Sequence, residues 1–277
     1  MIKDHYLQEL EMPGTQSRSG RATNSQQAVK KIQEWLNLYE FRHPGVGTAT
    51  MIDGDFGPAT ERAVKNFQIH IGKSPTGIVS KQLFGNLTDP LEFAFQTPGA
   101  GNHLRDKITS IAMNHLLQFP KELTIGGQSN SGPWVRSYMD GNQGAEWFWC
   151  MGFVQTIFDQ AFSELGGRFT DFMPKTLLCD TLGNHATSNN HINKNDVIKA
   201  NPSLIKKGDI FLLKTANNPN KTWFHTGIIV NANDDIIQTI EGNTDELGSS
   251  NGNGVYSRIR NFRKSNIDVV SLQQIAN

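Results

Sequence analysis

Glu146-Trp147-Phe148-Trp149-Cys150-Met151-Gly152-Phe153-Val154-Gln155-Thr156-Ile157-Phe158 is the stretch from which the rest of the chain can be read. Phe153, Val154, Ile157 and Phe158 recur at helical spacing, which places Cys150 at or near the start of an apolar helix. There the helix dipole and the unpaired backbone N–H groups favour a thiolate, moving a thiol from its ordinary ~8.5 toward neutrality. The same residue also suits a buried structural cysteine, the commonest fate of a cysteine outside a disulfide. Cys179, the other cysteine of the chain, has no comparable context and reads as structural.

Downstream segments bear on the choice. His225-Thr-Gly-Ile-Ile-Val230 opens a β-branched strand, so a base stands within reach of a facing helix. Thr239-Ile-Glu241-Gly-Asn243-Thr244 follows, with two polar residues two apart. On an extended segment such residues project from the same face, so Glu241 or Asn243 could orient His225. A nucleophile, a base and an orienting group make the minimum set for thiol-based acyl transfer. Each residue taken alone also has a bland reading, a packed histidine or a solvated strand end. Their order and spacing together carry more weight.

The same reading organises the whole chain. Residues 1–24 are polar and rich in Gly, Ser, Thr and Arg and read as a flexible lead-in. Val29, Ile32, Trp35 and Leu36 give one helix its apolar face, and Ala63, Val64 and Phe67 a second. Ile52-Asp-Gly-Asp-Phe-Gly-Pro58 is a tight turn feeding that second helix, with Gly57 at the cap and Pro58 at the first position. Ser80 caps a short third helix through Phe84. Residues 89–102, with Pro and Gly at both ends, read as a linker. Beyond it come a helix near Ile108–Leu116, a Gly-rich loop at 125–136, the Cys150 helix and a long variable stretch, 163–204. Strands are predicted at 209–213, 225–230, 236–241 and 254–260, with a turn at Asp234-Asp235. The fold class expected is α+β, a three-helix bundle followed by helices packed on a mostly antiparallel sheet.

Two resemblances sharpen this. Val29-Lys-Lys-Ile-Gln-Glu-Trp-Leu36, Asp53 through Gln68 and Thr76-Gly-Ile-Val79 resemble the three-helix peptidoglycan-binding domain, assigned here to residues 25–88. Trp149-Cys150-Met-Gly-Phe-Val154, Lys207-Gly-Asp-Ile-Phe211, His225–Val230 and Thr239–Thr244 resemble the cysteine- and histidine-dependent amidohydrolase/peptidase (CHAP) domain. That family lies in the papain-like clan with the NlpC/P60 enzymes; the resemblance spans residues 100–265, and the catalytic domain is assigned to 103–277. It implies Cys150 as nucleophile, His225 as base, Glu241 as orienter and Asn243 as a supporting residue, in a papain-like fold. The combined expectation is a peptidoglycan amidase or endopeptidase, an antibacterial effector or phage-type lysin. The alternative is a wall-binding protein whose hydrolase domain has decayed.

Composition limits the partners. Acidic and basic residues balance at 26 each, with ten of each sign in residues 1–100. Neither half is a basic arm, which argues against nucleic acid and anionic membrane. Peptidoglycan is the expected partner, beside a possible immunity protein or secretion component. No cofactor is expected, and no metal either, since His185 and His191 lack a spaced carboxylate or thiol. Met1–Leu10 lacks the apolar run of a secretory signal. The expectation is synthesis in the cytoplasm and action in a target cell's periplasm or wall, after export, injection or lysis.

Overall fold

The computed structural model describes residues 4–20, 23–215 and 222–272. Parts of the expected lead-in (1–3, 21–22) and of the C-terminal region (216–221, 273–277) lie outside the described residues. Helices α1 (Tyr6–Leu10), α2 (Gln26–Arg42), α3 (Pro58–His70) and α4 (Lys81–Gln96) come first. Ser25 caps α2 by accepting from the Ala28 amide, and Ser80 caps α4 through the Leu83 amide. Pro58 starts α3 where its missing N–H costs nothing. The turn before α3 is gripped by Gln33 of α2. Its carbonyl oxygen accepts from the Asp53 and Gly54 amides at 3.1 and 2.8 Å, and its amide donates to Asp53 Oδ1 at 2.8 Å. Gly54 sits at φ +81°, a conformation that costs glycine little.

Two expectations for this half need correction. The lead-in is anchored rather than loose. Tyr6 is buried and stacks on Phe95 at 4.5 Å, Glu9 and Met12 are buried, and Gln16 bridges to Val79. Nor are residues 89–96 linker, because α4 runs through Pro90 to Gln96. Proline removes one helical hydrogen bond and crowds the preceding turn. Here Leu87, Leu91 and Ala94 are buried against neighbouring helices, and that burial outweighs the local penalty. One continuous apolar cluster then runs from Val29 and Trp35 through Leu91 and Ile108 to Phe153 and Ile240.

The second half is α+β, as expected. Helix α5 (Leu104–Leu117) leads to the hairpin β1 (Leu123–Ile125) and β2 (Gln128–Ser131), and then to α6 (Pro133–Tyr138). Next come α7 (Cys150–Glu164) and, within the stretch expected to be variable, α8 (Cys179–Ser188), β3 (Ile192–Asn193) and α9 (Asn195–Ala200). Strands β4 (Ile210–Lys214), β5 (Trp223–Asn233), β6 (Ile236–Thr244), β7 (Gly254–Asn261) and β8 (Ile267–Val270) complete it. These last strands join β3 in one antiparallel sheet, ordered β3-β8-β4-β5-β6-β7. Alternation divides its side chains. Ile228 and Ile240 belong to the main cluster with α7, whereas Phe211, Ile229, Ile237 and Val269 pack with Ile198 of α9 in a second one. Helix α7 is buried from Cys150 to Phe162, so it is the central element of the domain rather than a surface helix. Among the described residues no helix is long and apolar enough to cross a membrane.

Candidate active site

Cys150 is the first residue of α7, where backbone N–H groups have no intrahelical partner. What holds it there is Trp149, fully buried, whose indole nitrogen donates to Glu122 at 3.0 Å and whose ring stacks on Tyr138 at 5.6 Å. On the sheet, β5 presents His225 and β6 presents Glu241, both with no exposed surface. His225 Nε2 lies 2.8 Å from Glu241 Oε2, which fixes the ring and leaves Nδ1 without a conventional partner. Cys150 lies close enough to that ring for each to stabilise the charged form of the other. The structure therefore brings Cys150, His225 and Glu241 together.

It does not bring Asn243 into the same line. The β6–β7 ladder shifts register between Glu241 and Thr244, and Asn243 adopts φ +56°. The same-face argument requires an extended strand, and at this bulge the strand is not extended. The Asn243 amide is buried with neither its nitrogen nor its oxygen hydrogen-bonded. Of the two candidates, Glu241 is the partner of His225.

Three side chains without an expected role at the site complete the arrangement. Arg260 on β7 clamps Glu241 from the other side, its Nε 2.6 Å from Oε1 and its terminal nitrogen on Oε2. The Thr239 hydroxyl donates to Oε1 as well. Cys179, which reads as structural in the sequence, opens α8 and shares a cavity wall with Cys150. Two glycines make room. A Cβ on Gly227 of β5 would lie 2.8 Å from Glu241 Cγ, and one on Gly242 would lie 2.6 Å from Phe153 Cβ, so Gly227 leaves space for the Glu241 side chain and Gly242 lets β6 approach α7. A glycine within a strand signals such close approach, and Gly227 and Gly242 were legible on that ground. Arg260 and Cys179 carried no local signal.

The electrostatics form a chain of alternating charge. The neighbouring Cys179 is the strongest influence on the Cys150 thiol; burial opposes it and His225 reinforces it, leaving Cys150 well below the usual thiol range. Burial would lower His225, but Cys150 and Glu241 outweigh it and raise the imidazole to about 9. Burial would likewise raise Glu241, yet Arg260 and then His225 hold it down at about 2. The arrangement favours a thiolate–imidazolium pair backed by a carboxylate–guanidinium pair. A cavity of about 410 Å³ opens beside it, with Cys150 and Cys179 on its surface. Trp147, Phe148, Leu178 and Trp223 give it apolar walls, and Glu146 and Asp180 are its acidic groups. Such a cleft, mostly apolar with a few polar groups and a perturbed nucleophile, has the form of a substrate site. No group of three or more potential ligands suited to a metal ion occurs among the described residues.

Residues 25–87 match the family model of a peptidoglycan-binding domain. That match coincides with α2, α3 and the first turns of α4, and includes the turn held by Gln33. The first third of the chain thus carries a domain of the peptidoglycan-binding type. Neither the curated proteins nor the solved structures include one that matches this chain.

Proposed function

We propose that this chain is a peptidoglycan hydrolase, a cysteine amidase or endopeptidase of papain-like architecture that cuts an amide bond in the wall. The observation that carries the reading is the buried Cys150–His225–Glu241 line beside an open cavity, in one chain with a peptidoglycan-binding domain. The Cys150 thiolate attacks the carbonyl carbon of a stem-peptide amide or of its sugar junction. Backbone N–H groups at the start of α7 receive the oxyanion. The imidazolium proton on His225 Nδ1 passes to the departing amine, leaving a thioester on Cys150. His225, now neutral, takes a proton from water, and the resulting hydroxide releases the acid and restores the thiol pair. Glu241 keeps the ring in register and favours its charged form, while Arg260 keeps Glu241 ionised. Asn243 supports the bend beside the site.

The product is released into a wall that the protein reaches as an effector or as a phage-type lysin. An immunity protein or a secretion component would then be its protein partner. The two modules share a core, so wall binding sets the orientation of the catalytic cleft as well as its local concentration. Purified sacculi incubated with the full chain should release soluble fragments, whose masses identify the bond cut. Cys150→Ala should release none while still sedimenting with sacculi. Sedimentation of both proteins with release by neither would favour the alternative, a wall-binding protein with a degenerate catalytic domain.

A further inference from the structure

Cys179 is positioned too deliberately to be packing alone. The only two cysteines of the chain begin two different helices, α7 and α8, and both lie on the same cavity of about 410 Å³. Both are free thiols, and Cys179 lies near enough to Cys150 to favour its ionised form. The approach to Cys179 is pinned at three points. Gln155, one turn into α7, grips Thr176 from both sides: its oxygen accepts from the Thr176 amide at 2.8 Å and its nitrogen donates to the Thr176 carbonyl. Asp180, immediately after Cys179, accepts from the Thr222 and Trp223 amides at 3.0 and 2.7 Å, tying α8 to the start of the strand that carries His225. Gly183, one turn on, lets the Trp223 ring lie flush against α8, where a Cβ would come within 2.4 Å of it.

We propose that Cys150 and Cys179 form a reversible redox pair, in which a peroxide converts the reactive thiol into an intramolecular disulfide and switches the site off. The inference rests on the functional reading above only in taking Cys150 as the reactive thiol. Two steps complete it. The Cys150 thiolate attacks one peroxide oxygen, the O–O bond breaks, and Cys150 becomes a sulfenic acid as hydroxide leaves. The Cys179 sulfur then attacks the Cys150 sulfur, the S–O bond breaks, and the thiol proton leaves with the departing oxygen as water. Two thiols lose two electrons in all, and the peroxide is reduced to two waters. An exposed thiolate without a neighbour proceeds instead to the irreversible sulfinic acid, so a resolving cysteine preserves the nucleophile. Cys150, though mostly buried, lines an open cavity that a peroxide can enter, and it has the neighbour that this chemistry needs.

The test uses the reduced full chain and near-stoichiometric hydrogen peroxide, followed by N-ethylmaleimide, intact mass and peptide mapping without reductant. Wild-type protein should become lighter by two hydrogens and take up no maleimide. It should yield a peptide pair linking Cys150 to Cys179, and dithiothreitol should restore both thiols. Cys179→Ser and Cys179→Ala should instead gain two oxygens on Cys150, a change that dithiothreitol does not reverse. Wild-type protein that accumulates the sulfinic acid while Cys179 still takes up maleimide overturns the inference, and so does a link between two chains. The readout is mass, so it separates from the functional reading. A disulfide that forms in a protein unable to release wall fragments would sink the hydrolase and leave the redox pair standing. Turnover without a disulfide would do the opposite.

Discussion

Arg136 Nη2 lies 2.6 Å from Glu34 Oε2 and 2.7 Å from Glu9 Oε2, so one guanidinium on α6 holds a carboxylate from the peptidoglycan-binding domain and another from α1. All three side chains are at least four-fifths buried. Beside them Trp35 meets Trp134 edge-on at 6.2 Å. The two modules are therefore fused through a charged clasp set in an apolar seam. Truncation at residue 100 would bare this core rather than liberate a catalytic domain.

Removing Arg136 leaves two buried carboxylates facing each other. Arg136→Ala should cost about 3–5 kcal/mol, the usual penalty for breaking a buried ion pair, measured by urea unfolding of the full chain. Arg136→Lys should recover only part of this, because an ammonium cannot form the forked contact to both carboxylates. Burial already pushes the Glu34 carboxyl up against the pull of Arg136. Without Arg136 it rises further and takes its proton in the fold before it does in the unfolded chain. The deficit should thus shrink as pH falls toward 5. A deficit that stays constant with pH would mean that the carboxylates had found other partners.

Glu241 and Asn243 are separated by the pH dependence of Cys150 alkylation. Glu241→Gln removes the carboxylate that helps to raise His225 to about 9, so the imidazolium loses its proton at lower pH and supports the Cys150 thiolate less. Iodoacetamide should react with Cys150 over a window narrowed on both sides, and turnover should fall by roughly 10- to 100-fold, the scale of losing an orienting partner. Asn243→Ala should leave the alkylation profile in place. Reversal of this pattern would assign the orienting role to Asn243.

That contrast also shows what the sequence could tell. Helices α2, α3, α5 and α7 were legible because their apolar residues follow a 3.6-residue period, and β4 to β7 because β-branched runs end at turn residues. Asn243 was misplaced because period-2 reasoning cannot see a bulge. Helix α4 was cut short because Pro90 breaks helices in isolation, whereas here Leu87 and Leu91 hold it. Strand β8 (Ile267–Val270) went unread because four buried residues carry no alternation. Cys179 and Arg260 lie far in sequence from the groups they touch, and only the fold makes them neighbours of Cys150 and Glu241.

Gly242 tests whether the contact between β6 and α7 is as close as the site requires. Its missing Cβ would lie 2.6 Å from Phe153 Cβ and 3.0 Å from the Trp149 ring, on the residues flanking Cys150. Gly242→Ala must push the start of α7 away from the sheet, at a cost of about 1–3 kcal/mol for overpacking. The same displacement separates Cys150 from His225, so alkylation at pH 7 should slow along with turnover. Loss of stability with an unchanged alkylation rate would show that the helix end moves independently of the thiol.

His115 sets the acid limit of the fold. It is fully buried behind α7, with Nδ1 2.9 Å from the Tyr138 hydroxyl and Nε2 3.1 Å from the Gln160 amide. Burial depresses the imidazole to about 3, with the Gln160 contact opposing only in part. In the unfolded chain it titrates near 6.5. Between these values the unfolded state binds a proton that the fold excludes, so stability is lost as pH falls through this range, by up to ~1.4 kcal/mol per pH unit. His115→Gln keeps hydrogen-bonding capacity toward Tyr138 and Gln160 but has nothing to titrate. The variant should be less stable than wild type at pH 7, and the gap should close steadily toward pH 4 in urea unfolding at matched ionic strength. Tyr138 stacks on Trp149, the residue that precedes Cys150, so the same acid loosening should also slow Cys150 alkylation in wild type more than in the variant. A gap independent of pH would mean that His115 takes up its proton inside the fold, and the acid limit would then belong to the carboxylates.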